Sequence, residues 1–180
     1  MGAAEAAGHT YRLPVGRGRY FLNRSGWSDY VLGGWELTSM FTARGGIPFT
    51  PYMGTANLSG ALSGTWRPNR MASGKVPNPT INGWFDPTAF EQPAPYTFGN
   101  SGRDILYGPP FTDMDFALSK KFPIRKLGEG GNLTFKAETY DTFNSPNFNL
   151  PAAGIGVAGA GTINQALDSR LVQLGFMLNF

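Results

Sequence analysis

Leu171-Val172-Gln173-Leu174-Gly175-Phe176-Met177-Leu178-Asn179-Phe180 is the stretch on which the fold turns. Val172, Leu174, Phe176, Leu178 and Phe180 form an unbroken apolar file, and Gln173, Gly175, Met177 and Asn179 take the intervening positions. Side chains two apart share one face of an extended chain, so this is a strand with two different faces. The same alternation occurs upstream. In Gly34–Arg44, Trp35, Leu37, Phe41 and Ala43 share a face with Ser39; in Phe111–Phe122, Met114, Phe116, Leu118 and Phe122 oppose Asp113, Asp115, Ser119 and Lys121. In Asn132–Phe143, Leu133, Phe135, Ala137 and Phe143 oppose Thr134, Lys136, Glu138, Tyr140 and Thr142.

The spacing predicts five strands, over His9–Leu13, Gly34–Tyr52, Phe111–Phe122, Asn132–Phe143 and Arg170–Phe180. Their connections alternate in length. Pro14–Gly33 and Pro123–Gly131 are short, whereas Thr55–Pro110 and Ser145–Asp168 are long, and every short one falls on the side of the C-terminus. The uncharged run Ser145–Leu167 is long enough to cross a bilayer, but Pro146, Pro151 and its glycines make it a loop. The aromatics of the other long connection, Trp66, Trp84, Phe85, Phe90, Tyr96 and Phe98, imply that it folds on itself or on neighbouring loops.

Composition agrees with short strands and irregular loops. Aromatics reach 14% and charged residues only 15%, with 25 Gly and 14 Pro to interrupt helices. The formal charge of +3 is scattered, without the basic run of a nucleic-acid partner. The absence of cysteine excludes disulfides, thiolate metal sites and a cysteine nucleophile. His9 is the sole histidine, so a Ser-His-Asp triad would have to use it from a chain end, and no nucleophile, base and oxyanion group converge; no enzyme and no cofactor are expected. Val15-Gly-Arg-Gly-Arg19 and Gly128-Glu-Gly-Gly131 are turns and not phosphate cradles, because no helix follows as a nucleotide fold needs. Asp113 and Asp115 share a strand face and are either solvated or part of a hard-cation site. Arg103 and Asp104 form at most a loop ion pair.

Alternation alone does not separate a soluble sandwich, whose apolar faces pack on a second sheet, from a membrane barrel, whose apolar face meets lipid. Lys120 falls on the apolar face close to one strand end, where its stem can follow the apolar surface and its ammonium can reach headgroups. Asp141 falls at the opposite end of its strand. Trp27, Tyr30 and Trp35 cluster near the first short turn, as an aromatic girdle or as the aromatic core of a soluble sheet. Gln173, Gly175, Leu178 and Phe180 stand at the offsets of the barrel-assembly signal of outer-membrane proteins, read by strand addition; the plainer alternative is a last strand that ends in Phe.

The chain resembles the C-terminal barrel segment of TonB-dependent receptors, in particular the Oar-like group of acidobacterial type. The resemblance is carried by Tyr11-Arg-Leu-Pro-Val-Gly-Arg-Gly-Arg19, Leu32-Gly-Gly-Trp-Glu-Leu37, Gly45-Gly-Ile-Pro-Phe-Thr50, Asn69-Arg70 and Trp84-Phe-Asp-Pro-Thr-Ala-Phe90. It continues through Phe98-Gly-Asn-Ser-Gly-Arg103, Leu106-Tyr-Gly-Pro109, Asp115-Phe-Ala-Leu-Ser-Lys-Lys-Phe122 and Phe143-Asn-Ser-Pro-Asn-Phe148. It implies an all-β antiparallel meander of about five strands, an open section of a large transmembrane barrel with long extracellular loops, in the outer membrane of a Gram-negative bacterium. Implied partners are outer-membrane lipid, the barrel assembly machinery, the parent's missing barrel and plug, and TonB through that plug only. Residues 11–180 are the matching segment; residues 1–10 are an unmatched start, truncated or disordered, with neither the basic nor the apolar region of a secretory signal. The other function class that the residues admit is a soluble or surface-attached β-rich module whose aromatic loop grips carbohydrate.

Overall fold

The computed structural model describes residues 4–54, 66–124, 126, 128 and 130–180. Residues 1–3 of the expected unmatched start and 55–65 of the first long connection lie outside them.

In chain order the elements are β1 (Ala4–Arg12), α1 (Trp27–Leu32), β2 (Trp35–Arg44), β3 (Pro48–Phe49), β4 (Tyr52–Met53), β5 (Asn69–Arg70), β6 (Lys75–Thr80) and β7 (Gly83–Phe85). A 3-10 turn at Pro87–Ala89 precedes β8 (Phe90–Glu91), β9 (Leu106–Tyr107), β10 (Phe111–Pro123), β11 (Asn132–Tyr140), β12 (Gly154–Ile155) and β13 (Leu171–Asn179). They form two compact units.

The first unit is a five-stranded sheet in the order β1-β2-β10-β11-β13, a meander that is open at β1 and β13. Its strands are 9 to 13 residues long, the length that a tilted strand needs to cross a bilayer. The β10–β11 and β11–β13 seams are antiparallel. Elsewhere direction follows from opposed side chains: Arg12 meets Glu36 and Thr10 meets Thr38, while Arg44 covers Phe111 and Lys120 covers Trp35. Each pair runs up one strand as it runs down the other, so all four seams are antiparallel.

All five expected strands are present, with three boundaries moved. β1 begins at Ala4, inside the stretch expected to be truncated or disordered, because its alanines and Gly8 carry no alternation yet pair with β2. β2 stops at Arg44 and not at Tyr52. A side chain at Gly46 would run into the Gly108 carbonyl, and from there the chain enters the short strands of the other unit. β11 stops at Tyr140 and not at Phe143. Asp141 adopts φ 47°, and its Oδ1 accepts the Ser145 N–H at 2.8 Å, so it is a turn residue and not a strand-face one.

The second unit joins residues 44–111 with 146–168, so the two long connections fold on one another. β4 pairs with β12 in parallel, while β3–β9, β5–β8 and β6–β7 are small antiparallel pairs. Phe49, Met53, Phe85, Ala89, Phe90, Leu106 and Ile155 pack together as a buried core. The order expected of the Thr55–Pro110 connection is therefore present in its described part.

Candidate functional site

The sheet's register sorts its side chains into two files. Leu118, Ala137 and Leu174 lie opposite one another, as do Lys120, Phe135 and Phe176, and again Phe122, Leu133 and Leu178. Directly opposed residues project from the same side, so the apolar alternation of each strand falls on one face. Rings link the rows: Trp35 meets Phe135 edge-on at 5.8 Å, and Phe135 lies 5.1 Å from Phe176. None of Trp35, Leu37, Phe41, Met114, Phe116, Leu118, Leu133, Phe135, Leu174, Phe176 or Leu178 is buried. Those on inner strands are half-covered by their neighbours, whereas on edge strand β13 Leu174 and Phe176 are 64% and 70% exposed. Among the described residues of this unit no second sheet covers the file.

The other face is polar. Arg12 Nε lies 2.7 Å from Glu36 Oε1, Lys136 Nζ lies 3.1 Å from Glu138 Oε1, and Arg12, Glu36, Ser119, Lys121 and Lys136 help to line a cleft of about 340 Å³. Asp115 Oδ1 accepts the Asp141 N–H at 3.0 Å. Asp113 and Asp115 share this face, but among the described residues no three carboxylate or imidazole groups converge in a way that holds a metal.

Lys120 departs from expectation. Its side chain does not reach outward to headgroups: it is buried, and its ammonium donates to the Tyr30 and Gly33 carbonyls at 2.5 Å each. The cause is α1, which lies at this end of the apolar face, with the Tyr30 ring 5.5 Å from Phe122. The ammonium thus neutralises carbonyls at the C-terminal end of the helix while it rests over the Phe122 ring at 4.8 Å. The sequence reading missed α1. Its available signals were Asp29 in the first turn and Gly33-Gly34 after the last. Of the expected aromatic cluster, Trp27 and Tyr30 belong to α1 and are exposed, while Trp35 donates its indole N–H to the Val31 carbonyl at 3.0 Å.

The four residues of the candidate assembly signal divide between the faces. Gln173 opposes Glu138 and Gly175 opposes Lys136 on the polar side; Leu178 opposes Leu133 on the apolar side; Phe180, just past the strand, is 95% exposed. A methyl group added at Gly175 would touch nothing, so crowding does not require glycine there.

In the loop unit the motifs that carried the resemblance are structural parts. Within Trp84–Phe90, Phe85 and Phe90 enter the core, Asp86 Oδ1 caps the 3-10 turn through the Thr88 N–H at 2.9 Å, and the Trp84 indole donates to the Tyr107 carbonyl. Asn69 Oδ1 accepts the Asn100 N–H, and Asn100 Oδ1 accepts the Arg70 N–H. A side chain at Gly99 would collide with the Arg67 carbonyl. Arg103 and Asp104 do form an exposed ion pair, at 3.4 Å. An open depression of about 470 Å³ lies among Met53, Phe90, Gln92, Ile155 and Val157.

Compared with known proteins, residues 5–173 match the model of a family described as an outer membrane beta barrel domain. No curated protein and no solved structure matches the chain.

Proposed function

We propose, from the premise that this chain belongs to the outer membrane beta barrel domain family, that its wall is part of a TonB-dependent receptor of the Oar-like kind. The family makes it an outer-membrane protein of a Gram-negative bacterium, and its open antiparallel sheet fits a section of barrel wall. The observation that carries the membrane wall is the uncovered apolar file: in water it would need a second protein layer, in a bilayer it meets lipid. A soluble carbohydrate-binding module, the other class that the sequence admitted, would need that layer.

The receptor reading is finer than the family and rests on the ordered loop motifs, from Gly45–Thr50 to Phe143–Phe148, most of which have a packing or capping role in the loop unit. Under it the chain is no enzyme and uses no cofactor. It contributes wall and extracellular loops for uptake of an unidentified ligand, and it meets TonB only through the plug of the parent. Its last strand, with Gln173, Gly175, Leu178 and Phe180, is what the barrel assembly machinery reads by strand addition; the place of β13 at the edge of the sheet supports this.

Reading the coding DNA upstream of Met1 tests the receptor. An in-frame extension that encodes a signal peptide, a plug with its TonB-contacting box and earlier strands is expected. A complete barrel gene without a plug would overturn the receptor and leave the membrane wall standing.

A further inference from the structure

The Pro14–Gly33 connection carries a concentration of exposed apolar surface outside the strand faces of the wall. Tyr20 is 86% exposed and Trp27 79%, and Phe21, Leu22, Tyr30, Val31 and Leu32 are all about half exposed or more open. Arg17, Arg19 and Arg24 are exposed on the same segment, with Asp29 as its one carboxylate. Asp29 is turned inward, its Oδ1 accepting the Arg17 backbone N–H at 2.6 Å. Among the described residues none of the three guanidinium groups makes an ion pair.

This exposure is not that of a slack loop. Hydrogen bonds hold the segment: Gly16 N–H to Phe21 O and Phe21 N–H to Pro14 O at 2.9 Å each, Gly18 N–H to the Asn23 side-chain Oδ1 at 2.8 Å, and Gly33 N–H to Asp29 O at 2.9 Å. The Lys120 ammonium then ties the Tyr30 and Gly33 carbonyls to the sheet, and Tyr30 rests on Phe122. Lys120 and Phe122 belong to the apolar face, so α1 is fastened on the lipid side of the wall and not on the polar side.

We propose that Pro14–Gly33 is a foot that binds anionic phospholipid: its aromatic side chains sit at headgroup depth, and Arg17, Arg19 and Arg24 contact lipid phosphates. Two observations name the occupant. The surface is continuous with the apolar file, through Tyr30 and Phe122, so whatever wets the file reaches the foot. Its chemistry is aromatic and cationic together, and aromatic rings prefer the interface to either bulk phase while guanidinium groups bind phosphate in bidentate fashion. A periplasmic protein partner would not need the foot fastened to the lipid side. The inference rests on the membrane wall and is independent of the receptor reading.

The chain has no cysteine, so single substitutions place a spin label at one site each. The full chain, reconstituted into vesicles of phosphatidylcholine with or without about 30% phosphatidylglycerol, would be labelled at Ser25→Cys in the foot, Val172→Cys on the apolar face and Thr80→Cys in the loop unit. Collision with oxygen and with a water-soluble nickel chelate reports depth. The Ser25 label is expected several-fold less accessible to the chelate than the Thr80 label, and deeper when phosphatidylglycerol is present. Arg17→Gln, Arg19→Gln and Arg24→Gln together should abolish that lipid dependence, which corresponds to on the order of a hundredfold in the local partition constant. Val172 immersed with Ser25 left in water would overturn the foot alone. An unchanged lipid dependence in the triple variant would overturn the role of the arginines. Val172 left in water would overturn the wall, and the foot with it.

Discussion

The sheet and the loop unit solve opposite problems with one composition. Every buried large hydrophobic side chain among the described residues (Phe49, Met53, Phe85, Phe90, Leu106, Ile155 and Ile163) lies in the loop unit, although most strands there have only two or three residues. The sheet has the long strands and a continuous hydrogen-bonded ladder, yet buries none of its apolar file. The loop unit is organised as water organises a protein, by hiding apolar surface. In the wall the backbone is satisfied strand to strand and the side chains are left for the surroundings, which is what hydrocarbon demands. Secondary-structure content therefore says little here about where the apolar stabilisation resides: the less regular region has the core.

The sharpest break of this contrast is a core deletion. Phe85→Ala should cost the loop unit about 3–5 kcal/mol, read as lost hydrogen-exchange protection over Trp84–Ala89, with the exchange of the five wall strands unchanged. Loss of protection in both regions together would mean that they are one cooperative body. Facing is the next test. In the intact parent, Phe116→Arg should cost about 2–4 kcal/mol in a membrane-refolding titration and Ala117→Arg much less, because only the first puts a charge into lipid. Equal costs would contradict the assignment of faces.

A smaller effect is expected at Lys120, a charged side chain that the wall buries. Lys120→Met removes two charge-assisted bonds to carbonyls and should loosen α1 by roughly 1.5–3 kcal/mol, measured as faster exchange of the Gly33 amide, while the β10–β11 ladder holds. At the bottom of the scale, Arg103→Ala should change the stability of the loop unit by less than about 0.5 kcal/mol, since its ion pair with Asp104 is exposed. An effect as large as that of Phe85→Ala would show that surface charge, and not the core, holds the loops.

The wall was legible because a two-residue period is a local property. Once Leu174, Phe176 and Leu178 were assigned to one face, Ala137, Phe135 and Leu133 followed, and the register places them opposite one another. What was not legible depends on distance along the chain. Lys120 looks like a headgroup lysine by its place in the file, but the carbonyls that hold it lie 90 and 87 residues earlier, on a helix too short to show a period. Similarly, the strand expected to run on to Tyr52 breaks where Gly46 must pass the Gly108 carbonyl, a close approach that no window around Gly46 contains. The loop aromatics were recognised as a folding group, but their partners on β12 arrive from the second long connection. Of the candidate site, the residue identities were readable; the division of Gln173 and Gly175 from Leu178 and Phe180 between two faces follows from the period, whereas the empty space around Gly175 required coordinates.

The five-strand count carries a constraint of parity. With every seam antiparallel, β1 and β13 point the same way, so bringing these two edges together, within one chain or between identical copies around a ring, would force a parallel seam into an otherwise alternating wall. Copies that share one orientation in the membrane cannot repair this, because each keeps β1 and β13 pointing as they do in the first and repeats the mismatch at its joint. Only a complement with an odd number of strands, its two outer strands running opposite to β1 and β13, restores alternation all the way round. A split-barrel rescue would expose the rule directly: complements that differ by a single strand should alternate between those that seal the wall and those that leave one joint misdirected.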